Sequence, residues 1–171
     1  MKQTDNFKFD EANVMNELVY RNLSEDEKRQ ICAWKYGGEY DLYNLPSYEE
    51  MQVRQIGFMN PKSEKIIMVF GFWDESILVG FVNILEEKEE IFIGIGVNPD
   101  LCNKHYGQRM LLITYEISKK LYPNKPLYLE VRTWNIRAIK CYQKAGFRID
   151  GQAYELTTGI GTGTFYRMIR E

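Results

Sequence analysis

The residues whose types and spacing could do chemistry fall in three places. The first is a polar turn, NPDLCNKHYG, running from Asn98 to Gly107. An amphipathic stretch follows it, from near Gln108 to about Tyr122. A helix start presents unpaired N–H groups and about half a positive charge, so a diphosphate is a natural ligand for it. Lys104 and Arg109 add charge there. An ordinary helix start with two solvated cations is the alternative. The second place is Glu130, alternating with Leu129 and Val131 in LYLEVR. Tyr128, Glu130 and Arg132 then share one strand face. A carboxylate in mid-sheet is costly unless it meets water or a partner, which means either a cleft or an ion pair with Arg132 or a nearby Lys. The third is NIRAIKCYQKAGF. Asn135 is a good N-cap, and Ala138, Tyr142 and Ala145 fall on one helix face. Small residues around Tyr142 leave room for a ligand beside its hydroxyl; a core aromatic with a satisfied hydroxyl is the other reading.

The elements that must position these groups form a βαβ unit. Ile91–Val97 reads as an apolar strand, the stretch from Gln108 as a helix, and PLYLEVRT as a second strand, which makes the two strands parallel. Before this unit come a short strand at Leu18–Leu23 and a capping box at Ser24-Glu25-Asp26-Glu27 opening a helix that ends near Gly37-Gly38. Two further strands, Ile66–Phe72 and Ile77–Leu85, are joined by a hairpin turn at Trp73 to Ser76. Residues 1–17 read as either strand or helix. After the unit, strands are expected near Phe147–Leu156 and Thr164–Ile169. The TTGIGTG between them opens no helix, so it reads as a hairpin and not a phosphate loop.

These motifs resemble the GNAT superfamily of acyl-coenzyme A N-acyltransferases. The second, N-x-x-A-x-x-x-Y-x-x-x-G-F, is matched in full by Asn135, Ala138, Tyr142, Gly146 and Phe147. The first is carried by Val97, Pro99 and Gly107, and departs from the family at His105, where the family has Gly. The stretch LEVR…N…Y is similar to the ribosomal-protein alanine acetyltransferases. The resemblance implies a single α/β domain over residues 1–171. It implies a mixed, mostly antiparallel sheet of six to seven strands with helices on both faces and a splayed central parallel pair. It implies acetyl coenzyme A along Ile95, Gly96 and Val97, with the diphosphate on the amides of Lys104, His105, Tyr106, Gly107, Gln108 and Arg109. Asn135, Arg137 and Ala138 complete that site. It implies Glu130 as general base and Tyr142 as donor to the departing thiolate. Reference values near 10 for a phenol and 8.5 for a thiol make full proton transfer uphill by roughly 2 kcal/mol, so a hydrogen bond to developing charge is the role expected of Tyr142.

The resemblance also puts the segment after the first strand at the acceptor site. Tyr36, Tyr40 and Tyr43 would form an aromatic wall, with Glu39, Asp41, Glu49 and Glu50 favouring a cation; a loop with a surface helix is the plainer reading. The acceptor amine must be neutral. At pH 7.4 that costs roughly 4 kcal/mol for a lysine-like amine and under about 1 for an α-amine, which favours α-amines or small amino compounds, peptide N-termini included.

Composition narrows the classes. The chain has 171 residues, 44% hydrophobic and 27% charged, with a net charge of −2. That argues against a general nucleic-acid binder. No apolar run reaches membrane-span length. One histidine and three scattered cysteines disfavour a metal site and fit reduced thiols in the cytoplasm. Cys141 has no evident basic partner that would make it a nucleophile. The expectation is an N-acetyltransferase, monomeric or homodimeric, acting on a small-molecule or peptide amine. The rival is a catalytically silent acyl-coenzyme A sensor or partner module.

Overall fold

Local signals set most element boundaries in this computed structural model, which describes residues 18–59 and 67–171. Residues 1–17 and Ile66 lie outside them. The Ser24 hydroxyl accepts from the Glu27 amide at 3.3 Å, and the Glu27 carboxylate accepts from the Ser24 amide at 2.8 Å. This capping box opens α1, Glu25–Ala33. The helix stops before Gly37 because Trp34 is already extended (φ −61°, ψ 138°). A 3₁₀ turn at Gly38–Tyr43 follows, and then α2, Tyr48–Arg54, capped by the Ser47 hydroxyl on the Glu50 amide at 3.1 Å.

The strands are β1 (Val19–Asn22), β2 (Ile67–Asp74), β3 (Ile77–Glu86), β4 (Ile91–Val97), β5 (Leu127–Arg132), β6 (Arg148–Ile149), β7 (Tyr154–Thr158) and β8 (Gly161–Arg170). They form one sheet in the order β1-β2-β3-β4-β5-β8-β6, with β7 on β8. The expected six to seven strands become eight because the stretch Phe147–Leu156 is not continuous. Gly151 takes a φ of 81° and breaks it into β6 and β7, which pair with different parts of β8. The TTGIGTG run is the β7–β8 hairpin, with Thr158 opposite Gly161.

Helices cover both faces. On one lie α3 (Tyr106–Leu121) and α4 (Ile136–Lys144). Met110 and Leu111 of α3 and Ile139 of α4 pack there against Phe70, Ile84, Ile93, Leu127, Leu129 and Met168. Each such side chain contributes about 1.5–3 kcal/mol by burial, so this face is the main core. On the other face Ile31 of α1 and Trp34, just past its end, pack with Trp73, Leu78 and Phe81. That cover is confined to the β2–β3 side and leaves the same face of β4, β5 and β8 to a cleft.

The central pair β4–β5 is the parallel one. Its register holds only at Ile91 with Leu127 and Phe92 with Tyr128. Beyond these, β4 continues on β3 as far as Val97 and β5 continues on β8 as far as Arg132. The strands therefore splay at their C-terminal ends, as the resemblance implied. Among the described residues no helix is long and apolar enough to cross a membrane.

Candidate active site

The splay leaves part of β4 facing open space. The Asn98 amide donates to the Val79 carbonyl at 2.8 Å. In an antiparallel ladder such pairs alternate, so Gly94 and Gly96 turn their backbone groups to β3. Ile93, Ile95 and Val97 turn theirs toward β5. Past Phe92 no β5 residue stands in register with them, so the Ile95 and Val97 amides point into the gap. A cleft of about 730 Å³ opens there, within the usual range for small-molecule sites. The Tyr36 hydroxyl crosses to donate to the Val97 carbonyl at 2.7 Å.

The cleft gathers most of the residues singled out from sequence. Ile95, Gly96 and Val97 line it from β4, and His105, Tyr106, Gly107 and Gln108 from the turn and α3. Glu130 lines it from β5, Asn135, Arg137, Ala138 and Tyr142 from α4, and Tyr36 and Tyr43 from the loop after α1. Lys104, Arg109 and Tyr40 do not line it. Arg109 instead reaches Asp74 at 3.7 Å, and the Tyr106 hydroxyl donates to the same carboxylate at 2.7 Å. Tyr40 packs on Trp134 with its face under the Arg137 guanidinium, 3.9 Å away.

The first turn of α3 carries no side-chain cap, which leaves its amides for a ligand. The helix starts at Tyr106, earlier than Gln108, because His105 adopts a left-handed conformation (φ 64°) and turns the chain directly into it. The His105 ring is exposed, so it leaves the backbone accessible. Gly107 is required by packing: a Cβ there would come within 2.9 Å of Cys141 Sγ on α4.

On α4 the Asn135 side chain accepts from the Ala138 amide at 3.1 Å and donates to the Tyr43 hydroxyl at 3.2 Å. One residue thus caps the helix and anchors the aromatic wall. Among the described residues the Tyr142 hydroxyl has no hydrogen-bond partner. Burial, with Cys141, Tyr43 and Tyr36 close by, pushes it well above the usual phenol range. Burial raises Tyr36 likewise. Both remain neutral donors.

Glu130 makes no ion pair with Arg132 or a lysine among the described residues. Its Oε1 accepts from the Tyr154 hydroxyl at 2.6 Å. Arg167, opposite it on β8, is committed to Glu90 and Asp150. Sequence reasoning did not find Tyr154, nor the cleft residues Trp34, Phe81 and Asn83. Only the alternation of β3 could have marked the last two. The cation-favouring acids are a correction: Glu39, Asp41, Glu49 and Glu50 do not line the cleft. Glu49 and Glu50 face outward to Arg29 and Arg54. No group of His, Cys, Asp and Glu among the described residues is arranged to hold a metal ion.

A mixed sheet whose central parallel pair splays over a phenol, a carboxylate and free strand amides is the framework of an acyl-transfer enzyme. The profile of the acetyltransferase (GNAT) family matches residues 29–147, and the chain belongs to that family. It is an acetyltransferase with acetyl coenzyme A as acyl donor. The fold is similar to that of the aminoglycoside acetyltransferase AAC(6')-Ib in complex with ribostamycin and coenzyme A. That match has 16% identity and a TM-score of 0.67, covering 88% of this chain and 92% of the other. It is also similar to a chimeric spermidine N-acetyltransferase SpeG from Vibrio cholerae and hSSAT, at 18% identity and a TM-score of 0.71, covering 90% and 94%.

Proposed function

We propose that the protein transfers the acetyl group directly to the primary amine of a small molecule or a peptide N-terminus. The observation that carries this reading is the convergence, in one cleft, of the Ile95 and Val97 amides, the unpartnered Tyr142 hydroxyl and the Glu130 carboxylate. The similar structures bear the names of aminoglycoside and spermidine acetyltransferases, which supports an amine as acceptor.

The residues fit acetyl coenzyme A. The gap beside β4 offers amides to an extended chain, the uncapped turn of α3 offers amides to phosphates, and Gly107 keeps that turn close to α4. Bound there, acetyl coenzyme A supplies an activated acyl carbon. The Val97 amide is placed to donate to the carbonyl oxygen as charge builds on it. Glu130 accepts the proton that the amine loses as its N–C bond forms. The neutral Tyr142 hydroxyl donates a hydrogen bond to the sulfur as the C–S bond breaks. Tyr36, tied to the Val97 carbonyl, and Tyr43, tied to Asn135, hold the wall beside the reacting atoms.

The test is thiol release from acetyl coenzyme A over a panel of amino acids, amines and peptide N-termini, with calorimetric titration of coenzyme A on the same sample. Binding together with acceptor-dependent release supports the reading. Binding with no release for any of these amines overturns the amine acceptor.

A further inference from the structure

The acceptor side of the cleft has an unusual charge pattern. Glu130 and Arg132 lie two residues apart on β5 and so point to the same face, the one that α1 and α2 leave uncovered beyond β3. Glu130 is the one carboxylate on the cleft wall among the described residues. Arg132 also lines the cleft and is only 7% exposed. Its guanidinium has no carboxylate partner among the described residues. The two Nη atoms make long contacts to the carbonyls of Thr162 (3.5 Å) and Gly161 (3.3 Å), and Nε has no partner among the described residues. The group sits 4.9 Å from the Phe165 ring centroid. A buried cation left with long bonds to neutral carbonyls is costly, and an anion that completes it removes the cost. A guanidinium matches a carboxylate in particular, through paired N–H donors.

Beside Asn83, Tyr36 and Tyr43, the wall carries three large apolar rings. Trp34, Phe58 and Phe81 line it, with ring centroids 6.3 Å apart for Trp34–Phe81 and 6.1 Å for Phe58–Phe81.

We propose that the acceptor is an α-amino acid with an apolar side chain. Its amine meets Glu130, its carboxylate meets Arg132, and its side chain packs against Trp34, Phe58 and Phe81. Alternate residues on a strand are about 7 Å apart, a span that these two side chains close around one amine–carboxylate unit. This assignment rests on the N-acetyltransferase reading and narrows it. It also sets the chain apart from enzymes that act on polycations, because a second ammonium would meet Arg132 and no second carboxylate.

The experiment compares kcat/KM from thiol release for matched acceptors on the full chain. Phenylalanine is paired with 2-phenylethylamine, and leucine with isoamylamine, which lacks its carboxylate. Spermidine serves as the polycation. The amino acid of at least one pair should exceed its amine by about tenfold to a hundredfold, the worth of one charge-assisted contact. Arg132→Met should lower the amino acid's value by about that factor and narrow the gap. Should that variant fail to fold, product binding to the native chain answers the same question. With coenzyme A present, N-acetylphenylalanine should bind at least tenfold tighter than N-acetyl-2-phenylethylamine in calorimetry. Equal or higher kcat/KM for the amines or spermidine, or equal product affinities, would overturn the amino-acid assignment and leave the N-acetyltransferase reading standing. Coenzyme A binding without release for any acceptor would sink both.

Discussion

Tyr154 donates a hydrogen bond to Glu130 Oε1 across 2.6 Å, from a strand that touches β5 only by way of β8. The bond fixes the direction of the carboxylate. Tyr154→Phe removes that hold. On the reading that Glu130 is the base, kcat should fall by about tenfold as the carboxylate loses its orientation. An unchanged kcat would show that this bond does not position Glu130 for the reaction.

Tyr142→Phe tests the donor to the leaving sulfur. Among the described residues the hydroxyl makes no hydrogen bond, so its loss costs the fold little. The expected result is a drop in kcat of about a hundredfold to a thousandfold with coenzyme A affinity nearly intact. Calorimetry and thiol release on one preparation separate the two quantities. A matching fall in affinity would assign Tyr142 to binding instead.

His105 holds a left-handed backbone (φ 64°) that disfavours any residue with a Cβ. Glycine relieves that strain and brings back some freedom in the unfolded chain. The net expectation for His105→Gly is a gain of about 0.5–1 kcal/mol, visible as a rise of a few degrees in the thermal midpoint. A lower midpoint would mean that the exposed imidazole makes a stabilising contact of its own.

Glu27 links the capping box to Arg21. The Arg21 guanidinium, helped by the Ser24 amide, lowers its carboxyl to about 2 in spite of partial burial. Because the folded value lies below the unfolded one, the stabilisation is fully present above about pH 4.3. It is lost as pH falls through about 2. At pH 7, Glu27→Gln should cost about 1–2 kcal/mol. Denaturant titrations of the two proteins should converge as the pH approaches 2. A gap that persists there would assign the effect to packing.

Where the chemistry depends on neighbours in the chain, the sequence was legible. The Asn135 cap, the face shared by Ala138 and Tyr142, the Ser24 capping box and the parallel pair all follow from spacing of a few residues or one crossover. What escaped was long-range. Tyr154 meets Glu130 only because Gly151 breaks the strand after Phe147 and sends β7 along β8. Nothing local in LYLEVR announces that partner. Conversely, the acids at Glu49 and Glu50 looked suited to a cationic acceptor. Sequence could not show that α2 turns them outward to Arg29 and Arg54. The buried state of Arg132 was equally hidden, since it depends on the β7–β8 hairpin closing over it.

The gap between β4 and β5 also ties the persistence of the protein to its supply of cosubstrate. A sheet that stops pairing after two parallel positions leaves strand edges for a bound molecule to complete. Part of the resistance to unfolding then resides outside the chain and varies with the logarithm of ligand concentration, about 2.7 kcal/mol at a hundredfold excess over Kd. In a cell well stocked with acyl donor the chain would resist proteolysis. In a starved one it would turn over faster, so that its abundance would track acyl-donor supply with no dedicated regulator.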